Sequence, residues 1–247
     1  MKSAYGGIRL EEAKEALLAI LRLTEAESAI TPQKLSQNST LTEREASSLL
    51  GWLVSRGLAE KAVEGVCFTP LQRIGLAVEA VKLGASPERA CRNLSWKEFE
   101  QLVEHVLKVN GYEVALHLRV KIGDKRSEVD VFAIKGRLAI VGDCKHWRKP
   151  LFPSGAKKAA KLQISRLKAL REAENLKVLK SKMGGFLPRK FQATPIIITL
   201  FEFPSKMVEG VPIVPVTKLA NFLSELPSYL PILSLEEIEL KNFEWTA

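Results

Sequence analysis

Two apolar stretches separated by a three-residue link most tightly constrain how this 247-residue chain folds. The stretches are residues 128–134 and 138–145, and both have the length and the β-branched and aromatic content typical of strands. The link Lys135-Gly136-Arg137 is short enough to join them as a hairpin. The sequence therefore predicts two adjacent antiparallel strands in the middle of the chain.

Charged side chains interrupt these strands, with Asp130 in the first and Asp143 and Lys145 at the end of the second. Strand alternation puts Asp143 and Lys145 on one face and Cys144 on the other. Burying an unpaired carboxylate is costly, so the cluster calls for a partner. The hairpin would bring Asp130 close to Asp143, and two repelling carboxylates favour a hard cation such as Mg²⁺ or Mn²⁺ between them. The pattern indicates a metal-dependent phosphodiesterase centre.

The bulk composition favours a cytoplasmic protein with no membrane segment. No apolar run approaches the roughly 20 residues of a membrane helix, and residues 1–7 lack the apolar core of a secretory signal. Cys67, Cys91 and Cys144 are too few and too widely spaced for a disulfide framework or a metal cluster.

The positive charge is concentrated after the Asp143-Cys144-Lys145 element. Between Lys145 and Lys190 the chain has fourteen Lys or Arg and two Glu, a local net charge of +12, whereas the whole chain has +9. Residues 1–90 carry eleven basic and eleven acidic side chains and are neutral. A polyanion such as nucleic acid is the expected partner of the basic segment, although a solvated helix face is the alternative.

The first ninety residues have the pattern of short helices with one small hairpin. Residues 11–23 repeat apolar side chains at helical spacing. Thr31 is the expected N-cap of a second helix, and Thr42 with Glu45 forms a capping box for a third that ends near Gly57. Residues 58–69 alternate around a central Gly65, which predicts a hairpin, and a fourth helix is expected over 71–83.

The second half has the pattern of an α/β fold. A capping box at Ser95 opens an amphipathic helix that ends at Gly111. Strands are expected over 112–120, 128–134, 138–145, 195–200 and 211–216, with a long basic helix from about Gly155 to beyond Leu170 and a closing helix over 217–226. Continuous apolar strands separated by helices predict a sheet covered on both faces.

Residues 1–90 resemble the winged helix-turn-helix superfamily, because a two-stranded wing and a further helix follow three helices. The resemblance implies DNA contact through the third helix, or a protein contact such as dimerisation. That helix begins with Glu43 and Glu45 around a single Arg44, and the segment has no net charge. DNA contact and protein contact therefore stay open as alternatives, and a homodimer through this domain is one expectation.

Residues 91–247 are predicted to form a nuclease domain, of which roughly residues 95–225 resemble the PD-(D/E)xK restriction-endonuclease-like superfamily. The resemblance lies in the element order and in an early helical glutamate followed by a strand Asp and Asp-x-Lys. The segment from Trp96 to Tyr112 looks like the opening helix of Mrr-like type IV restriction endonucleases, and archaeal Holliday-junction resolvases share the same core. The resemblance implies a mixed sheet flanked by helices, preceded here by the mainly helical winged-helix domain.

The resemblance also implies a set of site residues. Glu100 matches the helix glutamate, Asp130 the first strand acid, and Asp143 with Lys145 the (D/E)xK pair. Glu100 is preferred to Glu104 because it lies on the shoulder of the apolar stripe, from which a carboxylate reaches the sheet.

These residues imply a Mg²⁺- or Mn²⁺-dependent deoxyribonuclease. Asp130, Asp143, Glu100 and the backbone carbonyl of Cys144 would hold the metal, and Lys145 would orient water or neutralise the transition state. Gln163 is a tentative match to a glutamine near the metal in some relatives. Backbone phosphates of DNA would be bound by the basic side chains that follow, namely Arg148, Lys149, Lys157, Lys158, Lys161, Arg166 and Lys168.

Three functions remain open from the sequence. The first is an Mrr-like restriction or repair endonuclease, and the second is a resolvase of Holliday junctions or other branched DNA. The third is a regulator in which an inactive nuclease-like domain binds DNA or protein. The presence of all four superfamily positions favours an enzyme.

Overall fold

The computed structural model of the chain describes residues 5–24, 28–145, 153–200 and 202–240. The chain divides into two compact units, Met1–Gln101 and Leu102–Ala247, and the division falls inside helix α6 (Trp96–Val109). The predicted assignment of residues 1–90 to a winged-helix domain and of residues 91–247 to a nuclease domain stays a prediction.

The first unit consists of helices and one short hairpin, as the sequence predicts. Thr31 and Thr42 cap α2 and α3 as expected, and Thr69 with Gln72 forms a further capping box for α4. A bridge between Ile30 and Val66 extends the hairpin by one short segment. The elements are α1 Leu10–Leu23, α2 Pro32–Ser36, α3 Glu43–Ser55, β1 Glu60–Lys61, β2 Val66–Cys67, α4 Pro70–Lys82 and α5 Pro87–Cys91.

A buried arginine links the helices of this unit. The guanidinium of Arg73, in α4, is 1% exposed and donates to Glu98 Oε1 at 2.6 Å. It also donates to the carbonyl and hydroxyl oxygens of Thr24 and to the carbonyl oxygens of Leu21 and Asn93. Because every nitrogen of the guanidinium has an acceptor, the charge is buried without an unsatisfied donor.

The second unit has a mixed sheet between helices. In the described residues its seven strands run in the order β3-β4-β5-β6-β8-β7, and β9 pairs with β6. The β3-β4-β5 part is antiparallel, whereas β5, β6 and β8 are parallel. The strands are β3 Glu113–Ile122, β4 Lys125–Lys135, β5 Leu138–Lys145, β6 Lys190–Thr199, β7 Met207–Val208, β8 Val211–Pro215 and β9 Glu236–Glu239.

The predicted hairpin between β4 and β5 is present. Lys135 pairs with Leu138, so Gly136 and Arg137 form the turn, and Gly136 has a φ of 60° that suits glycine. The tight turn fixes the register, which brings Val131 opposite Gly142. The next residues along this register are Asp130 and Asp143.

The long basic helix of the sequence-based prediction is two helices in the structure. α7 spans Pro153–Ala169 and α8 spans Ala173–Met183, and the closing helix α9 spans Leu219–Tyr229. The C-terminal part of α7 and the apolar side of α8 join the main core cluster of the sheet through Leu167, Leu176 and Leu179. The fold class predicted from the sequence, a mixed sheet flanked by helices, is confirmed.

The strands β3 and β4 change face together beside Asp130. Ala115 and Leu118 belong to the same core cluster, as do Val129 and Phe132, although strict alternation would place the members of each pair on opposite faces. The change occurs at His117, whose φ of 52° interrupts the regular pairing between Leu116↔Val131 and Leu118↔Val129. Asp130 therefore lies opposite His117, at the interruption of the β3–β4 pairing.

We expect Gly142→Ala to destabilise the sheet by about 1–3 kcal/mol, because the core beside Gly142 has no room for a methyl group. A Cβ at this position would lie 2.4 Å from Val131 Cγ1. Urea unfolding measures the loss, and Val131→Ala in the Gly142→Ala background should recover part of it. Equal stability of Gly142→Ala and the wild type would contradict the proposed close packing.

Candidate active site

The C-terminal end of β5 carries a buried carboxylate with an ammonium partner. Asp143 is 2% exposed, and its Oδ2 lies 2.8 Å from the Nζ of Lys145, whose side chain is 24% exposed. The two residues share a face because they alternate with Cys144, which is itself buried. Lys145 thus bridges the buried carboxylate and solvent.

Asp130 reaches the same point from β4. Regular β4–β5 pairing stops at Val131↔Gly142, and the Oδ2 of Asp130 accepts the backbone N–H of Cys144 at 2.7 Å. The carboxylate therefore takes the place of a backbone acceptor at the end of the ladder. The structure brings Asp130, Asp143 and Lys145 together at the C-terminal end of β5.

The two carboxylates interact unfavourably. Burial, followed by the negative charge of Asp143, raises the pKa of Asp130 from 3.8 to about 6. The backbone N–H of Cys144 and the positive charges of Lys145 and Arg166 act in the opposite direction without cancelling the rise. A cation placed between the two carboxylates would relieve this repulsion.

The raised pKa of Asp130 predicts that the metal-free protein loses stability as the pH rises from about 4 to about 6. Between these values folded Asp130 holds a proton that the unfolded chain has released, so raising the pH disfavours folding. A shift of about two units corresponds to a loss of about 3 kcal/mol. Unfolding by urea in EDTA measures the loss.

The matched variant is Asp130→Asn, whose amide oxygen can still accept the Cys144 N–H. The difference in free energy of unfolding between wild type and this variant isolates the Asp130 contribution from other titrating groups. A difference that stays constant from pH 4 to 7 would contradict the raised pKa.

Arg166 lies inside this cluster. Its side chain is 10% exposed, and its Nη1 lies 2.6 Å from Asp143 Oδ1. Its Nε donates to Ser127 Oγ at 3.0 Å, and its Nη1 also donates to Gln163 Oε1 at 2.8 Å. The sequence placed Arg166 among the phosphate-binding residues, whereas the structure pairs it with a site carboxylate.

Gln163 fixes α7 to the sheet. It is fully buried, and its Nε2 donates to the carbonyl oxygens of Val141 at 2.9 Å and Ile196 at 3.3 Å. With its Oε1 on Arg166, the side chain orients the guanidinium that contacts Asp143. Gln163 is therefore a neighbour of the carboxylate cluster through Arg166.

Glu100 is a buried residue of α6 in the first unit. It is 4% exposed, and its Oε1 accepts the indole N–H of Trp96 at 2.7 Å. Its role beside Asp130 and Asp143 stays a prediction. Glu98, the expected partner of Ser95, does close the capping box, and its second oxygen pairs with Arg73.

The exposed side of α7 is basic. Lys157, Lys158, Lys161 and Lys168 are exposed, and Lys157 lies 3.6 Å from Glu209. Arg148 and Lys149 lie outside the described residues. The four lysines present positive charge along the helix whose buried side carries Gln163 and Arg166.

The residues of the cluster fit a hard divalent cation in part. Within residues 5–24, 28–145, 153–200 and 202–240 no three His, Cys, Asp or Glu side chains form a metal-binding group. Asp130 and Asp143 nevertheless supply oxygen donors of the type that Mg²⁺ prefers, and burial together with their repulsion raises the pKa of Asp130. Further ligands at this cluster would have to come from backbone oxygen or water.

A comparison with known protein families finds a match over the part of the chain that holds this cluster. Residues 91–178 match the family described as Restriction endonuclease (Mrr_cat). The matched span contains Glu100, Asp130, Asp143 and Lys145, and also Gln163 and Arg166. The match supports the PD-(D/E)xK superfamily for this part of the chain, and the mixed sheet is consistent with that fold.

Individual relatives and solved structures share a quarter or less of their residues with the matched part of this chain. An uncharacterized protein of Archaeoglobus fulgidus is 25% identical over 137 residues, which cover 56% of this chain and 95% of that protein. Protein VC1899 from Vibrio cholerae is 14% identical with a TM-score of 0.35, over 90% of this chain and 51% of that one. The protein of unknown function AF1548 is 18% identical with a TM-score of 0.29, over 50% of this chain and 53% of the other. This chain spans about half the length of either solved structure.

None of the helices in the described ranges is long and apolar enough to cross a membrane.

Proposed function

We propose that the chain is a Mg²⁺- or Mn²⁺-dependent DNA endonuclease that hydrolyses phosphodiester bonds. The observation that carries the proposal is the meeting of Asp130, Asp143 and Lys145 at the end of β5, inside the span that matches restriction endonucleases. Two buried carboxylates beside an ammonium group combine metal ligands with a cation for the phosphate.

In this proposal Asp130, Asp143, Glu100 and the Cys144 carbonyl would hold the metal. The bound metal would supply a Lewis acid for the phosphate oxygens and lower the pKa of a water ligand. The carboxylate of Asp143 lies 2.8 Å from the Lys145 ammonium and orients it on the exposed side of the cluster. Lys145 would stabilise negative charge on a phosphate oxygen because its ammonium group is held at the site and remains partly exposed to solvent.

DNA would approach along α7. The exposed Lys157, Lys158, Lys161 and Lys168 are proposed to bind backbone phosphates, together with Arg148 and Lys149. Such contacts hold the duplex without reading its sequence, so DNA affinity should fall steeply with salt.

For residues 1–90 we propose a winged-helix domain that makes a DNA or protein contact, including homodimerisation. The order of three helices, a hairpin and a further helix supports this proposal. The cytoplasm is the proposed location because the three cysteines form no disulfide framework.

A cleavage assay with the full chain tests the function. Plasmid, linear duplex, single-stranded, forked and four-way-junction DNA, and an RNA duplex, are each incubated in EDTA, Mg²⁺ or Mn²⁺. We expect metal-dependent cleavage of DNA, slowed by about 10³-fold or more in Asp143→Asn.

The pattern of products separates the candidates. Preference for the four-way junction would favour a resolvase, and cleavage of linear duplex a restriction or repair nuclease. No cleavage of any substrate, or equal cleavage by Asp143→Asn, would overturn the enzyme proposal. Salt-sensitive DNA binding without cleavage would then favour the regulator.

A further inference from the structure

Both oxygens of Asp143 already have a cationic partner. Lys145 Nζ lies 2.8 Å from Oδ2, and Arg166 Nη1 lies 2.6 Å from Oδ1. With Asp130 ionised, the cluster contains two negative and two positive charges, so Arg166 completes its neutralisation in the absence of metal. A divalent cation that binds Asp143 must either displace the guanidinium or share the carboxylate with it.

Arg166 is held in this position from both sides. Ser127 on β4 accepts from its Nε at 3.0 Å, and Gln163 on α7 accepts from its Nη1 at 2.8 Å. Gln163 is in turn hydrogen bonded to the carbonyl oxygens of Val141 and Ile196 in the sheet. The guanidinium is therefore positioned at Asp143 by the fold, rather than being a surface side chain that meets a carboxylate by chance.

We propose that Arg166 is a resident counter-ion of Asp143 that opposes metal binding until DNA is bound. The proposal rests on the proposed function, because it concerns the metal of the same site. The positive charge of Arg166 repels a nearby divalent cation, and its hydrogen bond occupies an oxygen that the metal would use.

DNA changes this balance. A phosphate at the site brings negative charge and acceptor oxygens, so a displaced guanidinium gains a new partner of the kind that arginine binds well. Arg166 lies on the same helix as the exposed lysines proposed to hold the DNA backbone. Metal and DNA therefore strengthen each other's binding, and this linkage is reciprocal.

Calorimetric titration of Mn²⁺ into the full-length protein without DNA tests the inference. We expect Arg166→Gln to bind Mn²⁺ at least about tenfold more tightly than wild type, because the opposing charge is gone. Arg166→Lys keeps the charge but loses the planar guanidinium that Ser127 and Gln163 hold at Asp143, so its Mn²⁺ affinity should lie between those of wild type and Arg166→Gln. The control is Arg171→Gln, an exposed arginine two residues beyond α7 that pairs with Glu236 at 3.2 Å and should leave Mn²⁺ affinity unchanged.

A purely structural role for Arg166 gives the opposite result. Loss of the arginine would then loosen Asp143, and Mn²⁺ would bind Arg166→Gln as weakly as wild type or more weakly. Either outcome overturns the inference. If Arg166→Gln fails to fold by circular dichroism, Ser127→Ala replaces it, since it removes one anchor of the guanidinium and leaves the charge. Tighter Mn²⁺ binding by Ser127→Ala supports the inference, and unchanged or weaker binding overturns it.

Asp143→Asn separates this inference from the proposed function. If no protein, including wild type and every Arg166 variant, binds Mn²⁺ in a way that Asp143→Asn abolishes, the metal-dependent function itself fails. If wild type has such a site and Arg166→Gln does not strengthen it, the function stands and the counter-ion role of Arg166 fails.

Discussion

Replacing Lys145 with methionine is expected to slow DNA cleavage by about 10³-fold. Methionine keeps the apolar stem and removes the ammonium group that lies 2.8 Å from Asp143 Oδ2. This ammonium is the cation of the cluster that extends toward solvent, with 24% of its side chain exposed, where a phosphate can reach it. Its loss leaves charge developing on the phosphate without a preorganised partner.

The kinetic constants distinguish this role from simple DNA binding. We expect kcat to fall with little change in KM, because Lys145 would act mainly on the transition state. Lys121→Met is the matched control. Lys121 pairs with Glu174 at 2.7 Å, close to the 2.8 Å of the Lys145–Asp143 pair, but its side chain is 52% exposed. It should cleave at the wild-type rate. Cleavage by Lys145→Met within about threefold of wild type would contradict the role.

The bounds of the central strand β5 can be predicted from the sequence, whereas the start of β4 cannot. β5 spans the predicted residues because a continuous apolar run ends at a charged pair. β4 begins at Lys125, three residues before the predicted start. The hydropathy pattern did not predict these three residues, because this end of the β3–β4 hairpin is polar and exposed. Pairing Ile122↔Lys125 provides backbone hydrogen bonds there, which leave no mark on the hydropathy pattern.

α8 escaped prediction for a related reason. Its buried Leu176, Leu179 and Met183 are spaced as on a helix, but the lysines between them merge with the basic run of α7. No proline or glycine marks the break at residues 170–172, which the backbone makes by turning after Leu170. The shared basic composition therefore made two helices, which pack against the sheet separately, resemble one long helix in the sequence.

The candidate site shows the same division between local and tertiary information. The proximity of Asp130 and Asp143 follows from one short turn, so the sequence predicts it. The pairing of Arg166 with Asp143 joins residues 23 positions apart through the packing of α7 on the sheet. A signal for its burial was present, because Arg166 follows the buried Ala160, Gln163 series at helical spacing, but a basic residue in a basic helix was assigned to its surface.

A second large effect is expected in the first unit, where Arg73→Met should lower the free energy of unfolding by about 3–5 kcal/mol. The substitution preserves much of the side-chain volume but leaves Glu98, which is 2% exposed, without its cation. It also leaves the carbonyl oxygens of Thr24, Leu21 and Asn93 without their arginine donor. Hydrogen exchange of the α4 amides during urea unfolding measures the loss, since a chain of two units need not unfold in one step.

An exposed ion pair of the same unit provides the matched control. Arg89 binds both oxygens of Glu15 at 2.7 and 2.8 Å, with 55% of its side chain exposed, so Arg89→Met should cost less than about 1 kcal/mol. Combining Arg73→Met with Glu98→Gln removes the unpaired charge and keeps an acceptor for the Ser95 N–H, so the double variant should be more stable than Arg73→Met alone. If Arg73→Met lowers the free energy of unfolding no more than Arg89→Met does, burial does not explain the contribution of the Arg73–Glu98 pair to stability. The contrast between the two arginines follows from solvent, because water screens the exposed pair and cannot reach the buried one.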